Sequence, residues 1–316
     1  MSNYRQQTAS SLTNITNCPT CGFTPITNNN IRSAVYNWIN DNYGAMAQYG
    51  DISNWDVSNV TIMRNVFANE NDDFNQDYNA DISNWDVSNV TDMYSMFKGA
   101  SEFNQDISGW DTSSVTDMFR MFSGTSVFNQ DISNWNTSGV TNMNQMFFES
   151  LVFNQDINTK SVTVGGVTYN AWDVSNVTDM GSMLRTAQAF DQDIGAWDVS
   201  NVTDMQNMFV TTYRVGDLSA KSVTVGGVTY NAWDVSSVTN MSRMFQGRGQ
   251  WDGSLSGLGT WDTSGATDMS YMFDSSGFEQ DLSSWCVSQF STAPFRFNAF
   301  TPMTSAQLPN WGQACP

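Results

Sequence analysis

The 316-residue chain contains no histidine, and this absence bears on what it can do. Without an imidazole, the common catalytic triads and histidine general bases are excluded. The sequence also has no glycine-rich phosphate-binding loop. Its paired carboxylates recur from repeat to repeat, so no single pair stands out as catalytic. The sequence therefore predicts a protein that is not an enzyme.

Positive charge and long apolar runs are also scarce. There are 12 Lys and Arg residues against 31 Asp and Glu residues, a formal net charge of −19. Such a surface repels phosphate, which argues against nucleic acid and anionic membranes as partners. With no run of about 18 apolar residues, membrane insertion is not expected. The opening segment MSNYRQQTASSLTNITN lacks the apolar stretch of a secretory signal peptide.

Leucine occurs only eight times, so the core must be built mainly from Trp, Phe, Met, Val and Ile. These residues come in a repeat. The segment DISNWDVSNVTDMYSMFKGASEFNQ over residues 81–105 is followed by similar segments over 106–130 and 131–155. A tryptophan marks each of nine units: Trp55, Trp85, Trp110, Trp135, Trp172, Trp197, Trp233, Trp261 and Trp285. A repeat of this period is typical of a solenoid, whose units bury their apolar residues against their neighbours.

We therefore predict an α/β repeat fold, a right-handed leucine-rich-repeat-like solenoid of about nine 25-residue coils over residues 51–285. In each coil a short β-prone run at the tryptophan should precede a short helical turn. Thr91 could cap that turn, with Met93, Met96 and Phe97 on its inward face. Fifteen of the 18 methionines occupy these positions, fourteen of them in M-x-x-M pairs and one, Met63, at the first position alone. A promiscuous methionine-lined groove is the alternative to a core role, and the recurring Phe favours the core.

The ends and the insertions depart from the repeat. Residues 1–27 are polar and predict a flexible or docking arm. Residues 28–50 predict an N-terminal capping helix, because the stretch 30–43 carries one apolar stripe. The segment KSVTVGGVTYNA occurs at 160–171 and again at 221–232, and it predicts two β-hairpins about 10 Å apart on one edge. They could pair, form one wall or mediate homo-oligomers. Residues 286–316 predict a C-terminal cap, because Pro294, Pro302 and Pro309 are incompatible with another regular coil.

The unit W-D-V-S-N-V-T-D-M-x-x-M-F resembles the bacterial surface-protein 26-residue repeat, a divergent branch of the BspA-type leucine-rich repeats. The resemblance covers residues 51 to about 280. It extends to AVYNWINDNYGAMAQYGDISNWDVS, which resembles the entry helix of that family, and to WCVSQF and LPNWGQACP, which resemble its terminal cap. It implies a surface-exposed bacterial protein or lipoprotein, or a viral protein with similar repeats, and no enzymatic activity in the repeat itself. The sequence departs from that pattern in lacking a signal peptide and a lipobox cysteine.

Aspartates recur at three positions of the repeat and so form three columns. The repeat over residues 81–105 contributes Asp81 to the first column, Asp86 to the second and Asp92 to the third. Stacked carboxylates repel one another, and bridging Ca²⁺ ions are one way to compensate. The alternative is that each carboxylate accepts backbone N–H bonds in a turn. No EF-hand loop or glycine-rich Ca²⁺ nonapeptide is present, which favours the turn and predicts no cofactor.

The four cysteines lie in two pairs. Cys18 and Cys21 could form a local disulfide or remain free thiols. A zinc site needs four ligands and could form here only between chains or with carboxylates. Cys286 and Cys315 enclose the C-terminal segment and predict a disulfide, which implies an oxidising destination.

Recognition should lie in the columns that vary between coils, above all the two residues inside each M-x-x-M. The candidate binding residues are Tyr94, Phe119, Arg120, Arg243 and Tyr271, of types favoured at binding hot spots. The alternative is that each of them is ordinary solvated surface.

The functional hypothesis is a non-enzymatic extracellular recognition or adhesion solenoid whose partner is a protein or glycan on a cell surface. A more specific version places it on a virion, as a phage tail-associated or capsid-decorating protein. The alternative is a self-assembling structural component that contacts other particle subunits and has no ligand of its own.

Overall fold

The computed structural model describes residues 22–68, 78–212, 214–247 and 255–315. Two α-helices open the described chain, α1 (Ile31–Asn40) and α2 (Asn42–Tyr49). Two antiparallel hairpins follow, hairpin 1 from β1 (Lys160–Val164) and β2 (Val167–Ala171), and hairpin 2 from β3 (Lys221–Val225) and β4 (Val228–Ala232). Short 3-10 helices span Ile52–Asn54, Leu258–Thr260 and Ser305–Gln307. The rest of the described repeat region consists mainly of turns that recur with the sequence period.

Adjacent units are joined by backbone hydrogen bonds between equivalent positions. The repeat threonine donates its N–H to the carbonyl oxygen of the equivalent threonine one unit earlier, at 2.8–2.9 Å. This ladder runs through Thr61, Thr91, Thr116, Thr141, Thr178, Thr203, Thr239 and Thr267. The next residue in each unit forms an isolated parallel bridge to its counterpart. These contacts favour the predicted solenoid, whose leucine-rich-repeat-like class and hand stay predictions.

The segment from the first methionine to the sixth residue after it, 93–99 in one unit, is here called the turn ribbon. The expected short helical turn is wrong for this segment. The N–H groups of Ser95, Phe97 and Gly99 donate to carbonyl oxygens of the next unit at 2.7–2.9 Å. Intervening N–H groups close successive turns, such as Met96 to the Met93 oxygen at 3.1 Å. A run of turns buries both methionines and the following Phe, as a helix would. The M-x-x-M spacing therefore cannot distinguish a helical turn from a run of turns.

A left-handed residue explains why no helix forms there. The second residue inside each M-x-x-M has φ between +52° and +59°, and Asn65 in the first unit, which lacks the second methionine, has +55°. The residues concerned are Asn65, Ser95, Arg120, Gln145, Ser182, Asn207, Arg243 and Tyr271. Side chains other than glycine adopt this conformation at a cost, with Asn the most tolerant. Side-chain packing and the hydrogen bonds from the turn ribbon to the next unit therefore determine the backbone conformation here.

Asn207 offers a test of this backbone. Asn207→Val places a β-branched residue at φ +58° and is expected to lower the free energy of unfolding by about 1–2 kcal/mol. Asn207→Gly, which adopts positive φ freely, is expected to change it by less than about 0.5 kcal/mol. Urea unfolding followed by circular dichroism measures both. Equal values for the two variants would contradict the left-handed assignment.

The core consists of columns of stacked side chains. Trp85, Trp110, Trp135 and their equivalents are nearly fully buried. Each indole Nε1 from Trp85 onward donates to the carbonyl of the Ile or Leu that opens the preceding unit, at 2.7–3.3 Å. Beside them, Phe97 and Phe122 stack with ring centroids 5.5 Å apart and planes within 7°. Burial and buried hydrogen bonding thus link every unit to its neighbour.

The N-terminal end is closed by α1 and α2. The expected single helix over 30–43 ends instead at Asn40, and Asp41 caps α2 by accepting the Gly44 N–H at 3.2 Å. Asn28 takes the place of a preceding unit, because its Oδ1 accepts the Thr61 N–H at 2.8 Å. Of the predicted arm over 1–27, residues 1–21 lie outside the described residues. Within 22–27, Ile26 is buried, so this part belongs to the cap.

The C-terminal end corrects another expectation. The repeat was expected to stop at Cys286, yet the turn ribbon continues one unit further. Tyr271, Phe273 and Ser275 donate their N–H groups to the oxygens of Phe295, Phe297 and Ala299 at 2.7–2.9 Å. The second methionine position lies 11 residues after Trp85 but 12 after Trp285, where Phe297 occupies it. Because of this one-residue insertion, a search of the sequence at a fixed period does not find the last turn ribbon.

Candidate functional site

Tyr94, Phe119 and Arg120, predicted as binding residues, lie in one cluster on the outer side of the turn ribbons. The rings of Tyr94 and Phe119 stack with centroids 4.7 Å apart. Arg64 lies over Tyr94 at 4.2 Å and Arg120 lies over Phe119 at 4.8 Å. Residues from three successive units thus form a row of two stacked rings with a guanidinium at each end.

Two carboxylates hold this row in place. Arg64 donates to Asp92 at 2.7 Å, and its guanidinium is 3.8 Å from a carboxylate oxygen of Asp117. Burial raises the pKa of Asp117, and the neighbouring Asp92 adds to the rise, whereas the Phe119 N–H and Arg64 oppose it. Hydrogen bonding to Asp92 raises the pKa of Arg64. The positive charge of Arg64 is therefore partly neutralised by Asp92 and Asp117.

Arg243 and Tyr271, the other two predicted residues, lie in a second cluster with Phe295, Arg296 and Phe300. We call these five the C-terminal cluster. Arg243 lies over the Tyr271 ring at 4.3 Å, and Phe295 meets the same ring edge-on at 5.2 Å. Arg296 lies 5.5 Å from Tyr271 and 5.2 Å from Phe300.

The C-terminal cluster exposes unusually large apolar side chains. Phe295 is 67% exposed and Phe300 81% exposed, the two largest values among the large hydrophobic side chains described as exposed. The Arg296 guanidinium beside Phe300 is anchored, because it donates to Asp274 at 2.9 Å. Asp274 is nearly buried and also accepts from Gln246 at 3.0 Å. An anchored cation packed against Tyr271 and the exposed Phe300 is a preorganised contact surface.

The same residues form an open backbone edge. In the inner ribbons, alternate N–H groups such as those of Ser95 and Phe97 donate to the next unit. Their counterparts in the last ribbon are the N–H groups of Arg296, Asn298 and Phe300. Within the described part of the chain none of these three has an acceptor. The stack therefore ends in a row of three donors flanked by the two exposed phenylalanines, which is a template for an incoming segment.

The two positions inside M-x-x-M carry no such groups in the middle units, where the cation–ring pair of Arg185 and Phe148, 5.4 Å apart, lies further along the ribbons. Between the two clusters the same positions hold Asn144 and Gln145, Gly181 and Ser182, and Gln206 and Asn207. Sequence reasoning found Arg243 and Tyr271 but missed Phe295, Arg296 and Phe300. Aligning the FRF segment with the ribbon after a one-residue insertion would have found them.

The hairpins have the predicted strands, with Lys160 opposite Ala171 and Lys221 opposite Ala232. They remain separate two-stranded sheets. Each leans back over the preceding unit, because Tyr169 donates to the Asn134 oxygen and Tyr230 to the Ala196 oxygen, both at 2.5 Å. Their predicted role in oligomers stays a prediction.

Burial of Tyr230 has a measurable consequence at high pH. Desolvation, and then the nearby Asp198 carboxylate, raises the pKa of Tyr230 to about 12. The folded pKa exceeds the usual value of about 10, so the contribution of this tyrosine to stability is complete below pH 10. It is lost as the pH rises towards 12. Burial also raises the pKa values of Tyr78 and Tyr169, so we expect a late tyrosinate absorbance step that is smaller by one tyrosine in Tyr230→Phe. An unchanged titration in that variant would contradict it.

The aspartate columns behave as turn residues. In the three columns, Asp81 accepts the N–H of Ser83, Asp86 that of Ser88 and Asp92 that of Tyr94, at 2.9–3.1 Å. Hydrogen bonds from Ser83 lower the pKa of Asp81, and Ser108 does the same for Asp106. Among the described residues, no group of three or more His, Cys, Asp or Glu side chains could hold a metal ion. The carboxylates of Asp81, Asp86 and Asp92 thus stabilise turns by accepting backbone N–H groups two residues further along the chain.

Two further predictions concern the cysteines and the membrane. Cys286 and Cys315 form the predicted disulfide. Cys18 and Cys21 lie outside the described residues. Across the described ranges, no helix has the length and apolar character needed to cross a membrane.

Comparison with known proteins gives one family. The family model described as "Mycoplasma protein of unknown function, DUF285" matches residues 33–161, 165–228 and 218–312. No curated protein and no solved structure matches the chain. Because the three matches together cover far more than half of its length, the chain belongs to this family of Mycoplasma-type proteins of unknown function.

Proposed function

We propose that the chain is a non-enzymatic recognition or adhesion protein whose contact surface is the C-terminal cluster. The observation that carries the proposal is the open edge of the last turn ribbon. There, three donor N–H groups lie beside Phe295 and Phe300, both largely exposed. Exposed aromatic and arginine side chains are the residue types that dominate binding energy at interfaces.

The proposed partner is a protein. An edge of alternate N–H groups is satisfied by alternate carbonyl oxygens, which a polypeptide segment supplies, and neighbouring apolar side chains then give specificity. Each inner ribbon already pairs in this way with the next, as Ser95 does with Phe119 and Phe97 with Met121. A partner segment docked at Arg296, Asn298 and Phe300 would continue the same ladder.

The architecture and the location of the protein are also part of the proposal. We infer a BspA-type, leucine-rich-repeat-like solenoid, supported by the stacked threonine ladder and the tryptophan columns. We infer an extracellular location, on a cell surface or a virion, supported by the Cys286–Cys315 disulfide, a bond that persists in oxidising compartments. The net charge of −19 suits a soluble, exposed stack.

Binding of the purified protein to immobilised extracellular proteins and to intact cells tests the proposal. The double variant Phe295→Ser/Phe300→Ser removes the exposed rings and is expected to weaken binding at least tenfold, which corresponds to about 1.4 kcal/mol. Thermal unfolding of the same sample should stay close to the wild type, because both side chains are mainly exposed.

A matched control removes exposed apolar surface elsewhere. Val127 and Val152 are 36% and 40% exposed and lie in other units. The double variant Val127→Ser/Val152→Ser is expected to bind like the wild type. Equal loss in both double variants, or no loss in the phenylalanine variant, would overturn the proposal.

A further inference from the structure

A cavity of about 240 Å³ lies beneath the tip of hairpin 1. Val164, Val167 and Tyr169 of the hairpin line one side, and Ser108, Asp111 and Asn136 of the underlying units line the other. One wall is thus apolar and aromatic, and the other carries a hydroxyl, a carboxylate and an amide. This lining is formed by residues other than the C-terminal cluster, so the inference does not depend on the function proposed above.

The polar wall has free hydrogen-bonding capacity. Asp111 uses Oδ1 to accept the Ser113 N–H at 3.0 Å, and its Oδ2 has no partner in the described parts of the chain. Asn136 uses Oδ1 to accept from the N–H and the hydroxyl of Ser138 at 3.1 and 2.7 Å. That leaves the Asn136 Nδ2 as a donor. The lining of the cavity therefore offers a carboxyl oxygen as an acceptor and an amide nitrogen as a donor.

Hairpin 2 shows what fills the corresponding space. It has the same 12 residues as hairpin 1, yet its turn lies against β2 of hairpin 1. A Cβ added at Gly226 would be 2.3 Å from the Oδ1 of Asn170. Val225 is half-buried, whereas its counterpart Val164 is 47% exposed. The tip of hairpin 2 thus has a polypeptide neighbour where the tip of hairpin 1 has a cavity.

We propose that this cavity binds a neutral pyranose ring of a saccharide. The hydroxyl groups of such a ring would donate to Asp111 and accept from Asn136, while its C–H face would pack on Tyr169 and Val167. A cavity below the usual volume for drug-sized ligands suits a single ring. Anionic ligands are disfavoured by Asp111 itself and by the net charge of −19.

Ligand-observed NMR with the full chain and a panel of neutral methyl pyranosides tests the proposal. At least one pyranoside is expected to bind in the millimolar range, and anionic sugars of the same size are expected to bind more weakly. Asp111→Asn should weaken binding about tenfold by removing the charged acceptor. The fold should tolerate this change, because Asn136 occupies the equivalent position one unit later.

The duplicated hairpin supplies the matched control. Val167→Ser, in hairpin 1, is expected to weaken binding about tenfold, and Val228→Ser, the same change in hairpin 2, to leave it unchanged. Both valines are exposed, at 65% and 59%, so neither change should affect folding. The absence of binding by every pyranoside, a preference for anionic sugars, or equal effects of the two valine variants would overturn the proposal.

Discussion

Trp135→Ala is expected to lower the free energy of unfolding by about 3–5 kcal/mol, the usual cost of emptying a buried aromatic site. The indole is 1% exposed and its centroid lies 6.0 Å from that of Phe122. Its Nε1 donates to the Ile107 oxygen at 3.2 Å, so the variant also leaves that oxygen without its donor. Urea unfolding followed by far-ultraviolet circular dichroism measures the change.

The matched control for Trp135→Ala is Val127→Ala in the neighbouring unit. Val127 is 36% exposed and should cost less than about 1 kcal/mol. In a stack whose units contact only their neighbours, amides around Trp135 should lose more protection than those near the ends. A cost for Trp135→Ala no greater than that of the control would contradict the account of the core.

Removing the disulfide is the second large effect. The double variant Cys286→Ser/Cys315→Ser opens a loop whose ends are 29 residues apart and is expected to cost about 3–4 kcal/mol by loop-closure entropy. The loop includes the last turn ribbon and Trp311, whose ring lies 5.0 Å from that of Phe297. We therefore expect binding through the C-terminal cluster to weaken as well.

Reduction provides the control for this variant. Dithiothreitol should lower the stability of the wild type to that of the double variant and should not lower the double variant further. The same midpoint of urea unfolding for oxidised wild type and double variant would contradict a stabilising role of the bond.

Features set by local sequence were predictable. The V-T-V-G-G-V-T-Y pattern specifies each hairpin through alternation and a tight turn, and the strands have the expected bounds. The apolar columns were also predictable, since Trp85, Met93, Met96 and Phe97 are all buried. A repeat at fixed period reveals which residues must lie inside even when the backbone between them is misjudged.

The turn ribbon was not predictable, because its conformation depends on the next unit. Ser95 adopts φ +52° while its N–H pairs with Phe119, and no property of Ser95 itself favours a left-handed backbone. The break at Asp41 was missed for a different reason. The apolar stripe continues across it, and the two helices are separated at Asp41, whose backbone is non-helical at φ −136° and ψ 72° and whose side chain caps Gly44.

The candidate sites depend on contacts distant in sequence. Of the C-terminal cluster, Arg243 and Tyr271 could be named from the variable columns, but the insertion before Phe295 removed the rest from the pattern. The cavity beneath hairpin 1 arises because the hairpin leans over Asp111, some 50 residues earlier in the chain. Repeat periodicity gives no information on how far an inserted hairpin tilts.

Residue-resolved amide hydrogen exchange of the unbound protein tests the central claim most directly. The account predicts strong protection of the amides of Ser95, Phe97 and Gly99, which pair with the next unit. It predicts rapid exchange at Arg296, Asn298 and Phe300, the open end of the same ladder. Strong protection at all three would mean that the edge is already paired, and would remove the basis for a recognition surface there.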